Sequence, residues 1–402
     1  VGDRTTYSKF EAVEWSKVNG QPVTWDFNRS TFDAIDWTKE PDISLPYLYK
    51  MRAQQLRDKY DYLILSFSGG SDSTEVLETF LKHNIFIDEI QIVTWEKLFS
   101  KVSAEDIAKN RELQYFLEYR VSAKEKLKKV TNTKITEIDI SDYLYEQITQ
   151  NKFEQLGIGK FETSAVFVTA PGRSSNFGLQ QYNQKVGVPN NACLIRGAEK
   201  PLLSIKDDML YHTFIDITMN GYAYDNSLYV TEPFFWSPDL PLITIKQCHI
   251  LKNVFETNQY FYDLYTKVGS LSAEHTKKNK LGHPPMVELQ RIFSYLIYEH
   301  WDNSSFNAPK IISKIPDFEL MSLFTKHEAY KVVKEKNDYY HNKYKLHFHK
   351  LQWHNRSRGC FQNQNSPCQH NRFSNGWYSF KRNIDRKSTR LNSSHIPLSR
   401  MP

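Results

Sequence analysis

The chain has few cysteines and no long apolar run. Its 402 residues include only four cysteines, so we expect no disulfide framework and take a reducing cytoplasm as the default environment. No run approaches the roughly 20 apolar residues that a membrane-spanning helix needs, and no secretory signal segment is visible. The composition therefore argues against a disulfide-stabilised secreted domain and against a membrane-spanning protein.

Charge of either sign is also not in large excess. The formal net charge is +6, which does not by itself indicate a nucleic-acid partner. Apolar residues make up 40% of the chain and aromatic residues 14%, which is enough for a substantial core. The length allows two domains, or one domain with large additions.

Both ends of the sequence are unusual. The chain begins at Val1 and not at Met, so we expect its natural start to lie upstream. Residues 385–402 back-translate to a common short-read sequencing adapter and its continuation. We expect them to be read-through and not native protein, and they are left out of the fold prediction.

Glycine is sparse, with 15 residues, but two glycines stand together in the segment Ser68–Thr74. An apolar run precedes them, and this run predicts a short buried parallel strand over residues 62–67. Asp72 and Ser73 then open a predicted helix over residues 72–83, because both are good N-cap types. Its apolar face contains Val76, Leu77, Phe80 and Leu81.

A strand, a glycine turn and a helix N-terminus together form the geometry of an anion site. Gly69 and Gly70 permit backbone angles that other residues avoid, and the helix dipole favours negative charge. Ser68, Ser73 and Thr74 add hydroxyl donors. A carboxylate at Asp72 beside a phosphate site indicates Mg²⁺ between them. The alternative is a flexible Gly/Ser turn on the surface.

Alternating strand and helix patterns predict an α/β protein with a doubly wound, five-stranded parallel sheet. Helices are predicted over residues 45–59 and 104–130 as well as after the glycine turn. In such sheets ligands bind where the strands end, at the switch point of the strand order. The predicted strands cover residues 62–67, 87–95, 134–140, 165–169 and 192–196.

We predict four segments along the chain. Residues 1–60 are an irregular lead-in followed by a helix, and residues 61–205 are the nucleotide-binding domain. Residues 206–384 form a substrate or cap region, which starts with a β-hairpin of Tyr211–Met219 and Ser227–Val230 around Asn220-Gly221. The rest of that region is mainly helical, with helices over residues 242–254, 286–301 and 323–344, and the adapter-like tail follows it.

Three further segments end predicted strands and become candidates for the same site. Trp95 ends the second strand, although a core tryptophan is an equal alternative. Thr169–Arg173 is a glycine-containing turn that could meet a phosphate, and a solvated turn is its alternative. Gly197–Pro201 presents Glu199 and Lys200, with Lys200 as a phosphate contact; the alternative is a surface Glu-Lys pair.

The motif Ser-Gly-Gly-x-Asp-Ser at Ser68–Ser73 resembles the PP-loop of the N-type ATP pyrophosphatases, the adenine nucleotide alpha hydrolase-like superfamily. It lacks the Gly-Lys-Ser/Thr of a Walker A loop. Gly197–Pro201, Phe234–Asp239 and Lys246–His249 resemble segments of phage-type PP-loop proteins, which are named after phosphoadenosine-phosphosulfate (PAPS) reductases or asparagine synthases. The aromatic run Phe234–Asp239 and Lys246 suit a cap over the substrate, whereas His249 is more simply a structural histidine.

This resemblance implies a Rossmann-like fold with its site between the first and fourth strands. It implies that ATP and Mg²⁺ bind there, that ATP is cleaved to AMP and pyrophosphate, and that an acceptor is adenylated. Asp72 and Lys200 would be catalytic, with Asp72 holding Mg²⁺ and Trp95 near the adenosine. The implied nucleotide contacts are Ser68, Gly69, Gly70, Ser71, Asp72, Ser73, Thr74, Trp95, Gly197, Glu199 and Lys200.

The resemblance leaves the acceptor open, whether a small molecule or a tRNA base. We expect no built-in glutaminase, because that enzyme needs an N-terminal Cys nucleophile. A sulfonucleotide reductase is the second hypothesis. It needs a nucleophilic cysteine late in the chain, and the surroundings of Cys360 and Cys368 do not match the Glu-Cys-Gly-x-His type of motif in that family. A nucleotide-binding module without turnover is the third.

The C-terminal region contains residues of the types that bind zinc. They lack a Cys-x-x-Cys knuckle and lie in a segment rich in Asn and Gln, so we favour a polar loop without zinc. Basic residues nearby are only a weak indication of a polyanion or nucleic-acid partner. The zinc-type residues are His354, Cys360, Cys368 and His370, and the basic residues are Arg356, Arg358, Lys381 and Arg382.

Overall fold

The computed structural model describes residues 1–6, 9–21, 28–94, 96–99, 105, 123–142, 179, 181–197, 201–206, 209–213, 228–267, 285–300 and 378–381. The helices are α1 (Lys9–Asn19), α2 (Arg29–Phe32), α3 (Leu45–Lys59), α4 (Ser71–Lys82), α5 (Glu96–Phe99), α6 (Leu242–Thr257) and α7 (Pro285–Ile297). Shorter helical stretches cover residues 123–127, 181–186 and 259–267. The strands are β1 (Tyr62–Ser66), β2 (Glu89–Thr94), β3 (Lys134–Asp139), β4 (Ala192–Arg196), β5 (Leu202–Lys206), β6 (Met209–Thr213), β7 (Val230–Pro233) and β8 (Tyr378–Lys381).

Five of these strands form a parallel sheet in the order β3-β2-β1-β4-β7. β1 lies at its centre, with Leu65 opposite both Ile90 of β2 and Ile195 of β4. Leu63, Ile64 and Leu65 are buried, as expected for a strand that is covered on both faces. The prediction of an α/β protein with a five-stranded parallel sheet is therefore confirmed.

The strand order reverses at β1. The chain passes from β1 to β2 and β3 on one side, and then returns to place β4 on the other side of β1. α4 connects β1 to β2. The crevice between the carboxyl ends of β1 and β4 is thus the place where α/β sheets bind ligands.

One hydrophobic core joins the sheet to α3, α4 and α6. Leu56, Val76 and Leu251 are completely buried in it. The aromatic run Phe234–Trp236 is also completely buried, and the ring of Tyr49 lies 6.0 Å from that of Phe234. These aromatic side chains, which the sequence suggested for a substrate cap, are part of the core.

The predicted hairpin of Tyr211–Met219 and Ser227–Val230 is described only in part. β6 pairs antiparallel with β5 and β8, and β7 pairs parallel with β4. Leu203 of β5 and Leu210 of β6 are buried in the core. Residues 214–227, which include Asn220-Gly221, lie outside the described ones, so the turn stays a prediction.

The membership of the sheet also differs from the prediction. The segment predicted as the fifth strand, residues 192–196, is β4 beside β1, and the outer place is taken by β7. The predicted strand over residues 165–169 lies outside the described residues, as do the helix over 323–344 and most of 104–130. The lead-in over residues 1–44 is not wholly irregular, because it contains α1 and α2.

Three other helix predictions are confirmed. Those over 45–59, 242–254 and 286–301 correspond to α3, α6 and α7. Within the described part of the chain, no helix combines the length and the apolar character needed to cross a bilayer.

Candidate functional site

The segment from Phe67 to Gly70 connects the end of β1 to the start of α4. Gly69 has a φ of +76°, a region that L-residues with a side chain rarely adopt. A Cβ atom at Gly69 would lie 2.5 Å from the Cβ of Ala123, which is too close for any side chain. Gly69 is therefore required both by its backbone angle and by the helical stretch packed against it.

α4 begins at Ser71, with Gly70 as an N-cap residue that supplies no side-chain cap. The hydroxyl groups of the first turn bond within the loop instead. Ser73 Oγ donates to Gly70 O (3.2 Å) and lies 3.2 Å from Ser68 Oγ, and Thr74 Oγ1 donates to Gly69 O (3.3 Å). These contacts hold a strand, a glycine turn and a helix N-terminus in the arrangement that binds anions elsewhere.

Gly197 follows β4 and lies directly against this loop. A Cβ atom at Gly197 would lie 2.8 Å from the carbonyl oxygen of Asp72. Glycine is required here by a close approach, since the end of β4 passes next to the first turn of α4.

Asp72 lies on the first turn of α4 and is 9% exposed. Its Oδ1 atom accepts a hydrogen bond from the hydroxyl of Tyr298 at 2.7 Å, and Ser71 Oγ lies 3.4 Å from the same atom. Burial, followed by the charge of Asp72, raises the pKa of Tyr298 well above its usual value. Tyr298 therefore stays protonated and donates at neutral pH.

Glu75, about one turn further along α4, also forms hydrogen bonds with the residues that follow α7. Its carboxylate accepts the backbone N–H of Glu299 (3.2 Å) and of His300 (2.9 Å). The imidazole Nδ1 of His300 lies 3.3 Å from it. The hydrogen bond to Glu75 raises the pKa of His300, because a carboxylate favours the charged imidazolium.

Lys126 is a residue of the site that the sequence did not reveal. Its Nζ lies 3.1 Å from Gly69 O and 3.0 Å from Thr74 Oγ1. Lys126 is on the same helical stretch as Ala123, three residues further along, so the packing of Ala123 on Gly69 brings the ammonium to the loop. In the sequence, Lys126 was one of many lysines in a predicted charged helix, and no local signal singled it out.

The predicted site residues fall into two groups. Ser68, Gly69, Gly70, Ser71, Asp72, Ser73, Thr74 and Gly197 lie together at the carboxyl ends of β1 and β4. Trp95, Thr169–Arg173, Glu199, Lys200, His354, Cys360, Cys368 and His370 lie outside the described residues.

Lys246 and His249 do not belong to this site. Lys246 Nζ bonds to Glu40 (2.7 Å) and to Pro41 O (2.8 Å). The Nε2 of His249 lies 3.0 Å from Trp37 O. Both residues hold the N-terminal segment against α6, which agrees with the structural interpretation of His249.

The oxygen ligands at the loop suit Mg²⁺ better than zinc. No group of three or more His, Cys, Asp or Glu side chains suited to a metal ion occurs among the described residues. Asp72 is a single carboxylate beside hydroxyl groups, and Mg²⁺ is commonly held by one or two carboxylates together with substrate phosphates. The oxygen atoms at the loop therefore fit Mg²⁺.

The described cysteines are not suited to nucleophilic chemistry. Cys193 and Cys248 are buried free thiols, and burial raises the pKa of both. A nucleophilic cysteine needs a lowered pKa and access to solvent.

Comparison with known proteins adds no family to this description. No protein-family model matches the chain, and no curated protein matches it.

Proposed function

We propose that this chain binds ATP with Mg²⁺ at the loop between β1 and α4 and cleaves it to AMP and pyrophosphate, adenylating an acceptor. The observation that carries the proposal is the glycine loop at the reversal of the strand order, with Asp72, Lys126 and Gly197 around it. The proposed fold is a doubly wound, Rossmann-like sheet of the adenine nucleotide alpha hydrolase-like type. A mainly helical C-terminal extension completes it.

The loop would bind the β- and γ-phosphates. Gly69 and Gly70 let the backbone approach the phosphates, and the N-terminus of α4 favours their negative charge. Ser68 and Ser71 supply hydroxyl donors, and Ser73 and Thr74 would do so by exchanging their bonds to Gly70 O and Gly69 O for bonds to phosphate. Lys126 supplies the positive charge on the side of the loop that faces residues 123–127.

The opposite wall of the crevice would follow β2 and β4. There Trp95 would contact the adenosine, and Glu199 and Lys200 would complete the phosphate contacts after Gly197. Asp72 would hold Mg²⁺, which supplies charge neutralisation on the phosphates when bound.

The reaction would be an in-line displacement at the α-phosphorus. An acceptor oxygen attacks the α-phosphorus, the bond from that phosphorus to the bridging oxygen breaks, and pyrophosphate leaves. The protein's contribution is to position the reactants and to stabilise the developing charge. An amine, ammonia or a sulfur nucleophile, from solution or from a separate partner, would then attack the adenylated acceptor, the bond from the acceptor to the AMP oxygen would break, and AMP would leave.

The proposed setting is the cytoplasm, or a host cytoplasm if a phage encodes the chain, because the few cysteines suit a reducing compartment. The acceptor is a small molecule or a tRNA base.

Product analysis tests the proposal. The protein is incubated with ATP, Mg²⁺, ammonia and candidate acceptors including bulk tRNA, and the nucleotides are separated by chromatography. We expect AMP and pyrophosphate. Asp72→Asn should lower turnover on the order of a hundredfold, since a metal-held phosphate contributes several kcal/mol to charge stabilisation, whereas the exposed Asp58→Asn should not change it.

Three other outcomes would contradict the proposal. ADP and phosphate as products would indicate a different cleavage. Thiol-dependent release of sulfite from PAPS would favour the reductase hypothesis. Nucleotide binding without turnover would favour a binding module.

A further inference from the structure

The end of α7 and the residues after it lie along the first two turns of α4. Ser294 Oγ lies 3.3 Å from Ser71 Oγ, and Tyr298 Oη donates to Asp72 Oδ1 at 2.7 Å. The backbone N–H groups of Glu299 and His300 bond to Glu75. Residues 294–300 therefore contact α4 on the turn that carries Asp72 and on the turn after it.

The position of Tyr298 is set by packing that does not involve Asp72. Its ring is stacked on that of Phe235, with the centroids 5.2 Å apart. The preceding carbonyl, that of Ile297, accepts a hydrogen bond from the hydroxyl of Tyr49 at 2.7 Å. Gln247 Nε2 in turn donates to Tyr49 Oη at 2.8 Å.

A hydroxyl held in this way can fix the rotation of a carboxylate. Asp72 has two side-chain torsions, and a donor at Oδ1 selects one orientation of the carboxylate plane. Hydrogen bonds of this kind orient metal-ligating side chains, and their removal typically lowers metal affinity 10- to 100-fold. The short distance and the burial of Tyr298 are the features that such an orienting contact requires.

We propose that Tyr298 is a positioning residue that orients the Asp72 carboxylate for the Mg²⁺ of the bound nucleotide. This inference rests on the proposed function, and it assigns a role to the chain after α7 that no motif in the sequence indicates. Tyr298 acts through Asp72 and does not itself contact the nucleotide. Its effect is therefore on metal affinity and not on the binding of nucleotide alone.

Calorimetric titration tests this inference without turnover. The probe is α,β-methylene ATP, in which a CH₂ group replaces the bridging oxygen that the reaction would cleave. Its Kd is measured with and without Mg²⁺. The Kd without Mg²⁺ divided by the Kd with Mg²⁺ is the magnesium dependence. We expect Tyr298→Phe to lower this ratio about 10- to 100-fold while leaving the Kd without Mg²⁺ close to that of the wild type.

Tyr60→Phe is the matched control. It removes another buried tyrosine hydroxyl, which bonds to Glu232 and has no part in holding Tyr298. We expect its magnesium dependence to equal that of the wild type. Asp72→Asn should abolish the dependence, and adding Tyr298→Phe to it should cause no further change.

The outcomes separate this inference from the proposed function. If the wild type does not bind the analogue, the proposed function and this inference both fail. If the wild type binds with magnesium dependence and Tyr298→Phe keeps it, only the positioning role fails. Circular dichroism checks that Tyr298→Phe is folded. Should it not fold, Tyr298→Met replaces it, because that flexible apolar side chain fills the space without a hydroxyl; an unchanged dependence would then overturn the inference.

Discussion

Gly69 combines two demands on one residue. Its φ of +76° makes a side chain cost about 1–2 kcal/mol. The 2.5 Å approach to Ala123 Cβ adds an overpacking cost of about 1–3 kcal/mol. We therefore expect Gly69→Ala to lower the free energy of unfolding by the sum of both effects, as measured by urea denaturation.

Gly187 provides the matched control for Gly69. Its φ is +79°, yet a Cβ atom there would have no neighbour within 4 Å. Gly187→Ala should therefore show only the backbone cost. Equal losses of stability in the two variants would contradict the close packing of residues 123–127 on the loop.

Lys126 is the lysine that contacts the loop, and its charge should matter for nucleotide binding. A hydrogen bond to a charged group typically contributes about 1.5–3 kcal/mol. We therefore expect Lys126→Met to weaken the binding of the ATP analogue by roughly 10- to 100-fold, as measured by calorimetry. Lys128→Met removes the same charge from an exposed side chain paired with Glu125, so it should leave the Kd nearly unchanged. Equal losses of affinity in Lys126→Met and Lys128→Met would show that only the net charge of the protein affects nucleotide binding.

At the scale of elements, local pattern was sufficient for β1, α4 and α3. Apolar surface is buried within one strand-turn-helix unit by Leu63, Leu65, Val76 and Leu77. Their spacing in the sequence was therefore enough to predict the strand and the helix. Tyr298 and Lys126 could not be found in this way. Tyr298 contacts Asp72 across 226 positions of sequence, and Lys126 contacts Thr74 across 52, and neither carries a local signal.

The outer strand β7 was not among the predicted strands of the sheet, for a related reason. Glu232, at its centre, is 7% exposed and bonds to Arg52 of α3 at 2.9 Å. Lys59 Nζ and the hydroxyl of Tyr60 also bond to it, at 2.9 Å and 2.6 Å. A buried carboxylate is stable in a strand only with partners such as these, and they come from a helix about 170 residues earlier.

This ion pair gives a prediction for the attachment of β7 to α3. Glu232→Gln leaves the guanidinium of Arg52 buried without its nearest opposite charge, which typically costs about 3–5 kcal/mol. Replacing both residues, as Arg52→Met with Glu232→Leu, should recover most of that loss. Glu125→Gln is the control, because the exposed pair of Glu125 and Lys128 should contribute less than about 1 kcal/mol. Urea denaturation measures the free energy of unfolding of Glu232→Gln, of the double variant and of Glu125→Gln. Similar losses of stability in Glu232→Gln and Glu125→Gln would contradict a stabilising role for the buried ion pair.

At the scale of the whole molecule, a single core extends from Phe32 to Tyr298 and includes residues on both sides of the sheet crevice. Within it the imidazole of His212 is stacked on the ring of Trp37, with centroids 5.4 Å apart, and meets Trp236 edge-on at 6.2 Å. Burial lowers the pKa of His212 from 6.5 to about 3. His212 is therefore neutral in the folded protein at any mildly acidic pH.

The pKa of His212 predicts a loss of stability in acid. Between the pKa of 6.5 in the unfolded chain and the pKa of about 3 in the folded protein, the unfolded chain binds one more proton at His212. The contribution of this residue to the free energy of unfolding is therefore fully present above pH 6.5 and falls as the pH decreases. The slope is about 1.4 kcal/mol per pH unit, or roughly 2 kcal/mol from pH 6.5 to pH 5. His212→Phe keeps a ring in the stack and should show a slope shallower by that amount; an unchanged slope would contradict the burial of a neutral imidazole.

We propose that the loop from Ser68 to Thr74 binds the phosphates of a nucleotide, and the exchange of its backbone amides is the direct test. Hydrogen–deuterium exchange is measured with and without α,β-methylene ATP and Mg²⁺, because amide groups that bind phosphate exchange more slowly. We predict that the added protection is largest in residues 68–74 and extends to the chain around Gly197. Protection confined to other parts of the chain, or no change with the analogue, would contradict the account.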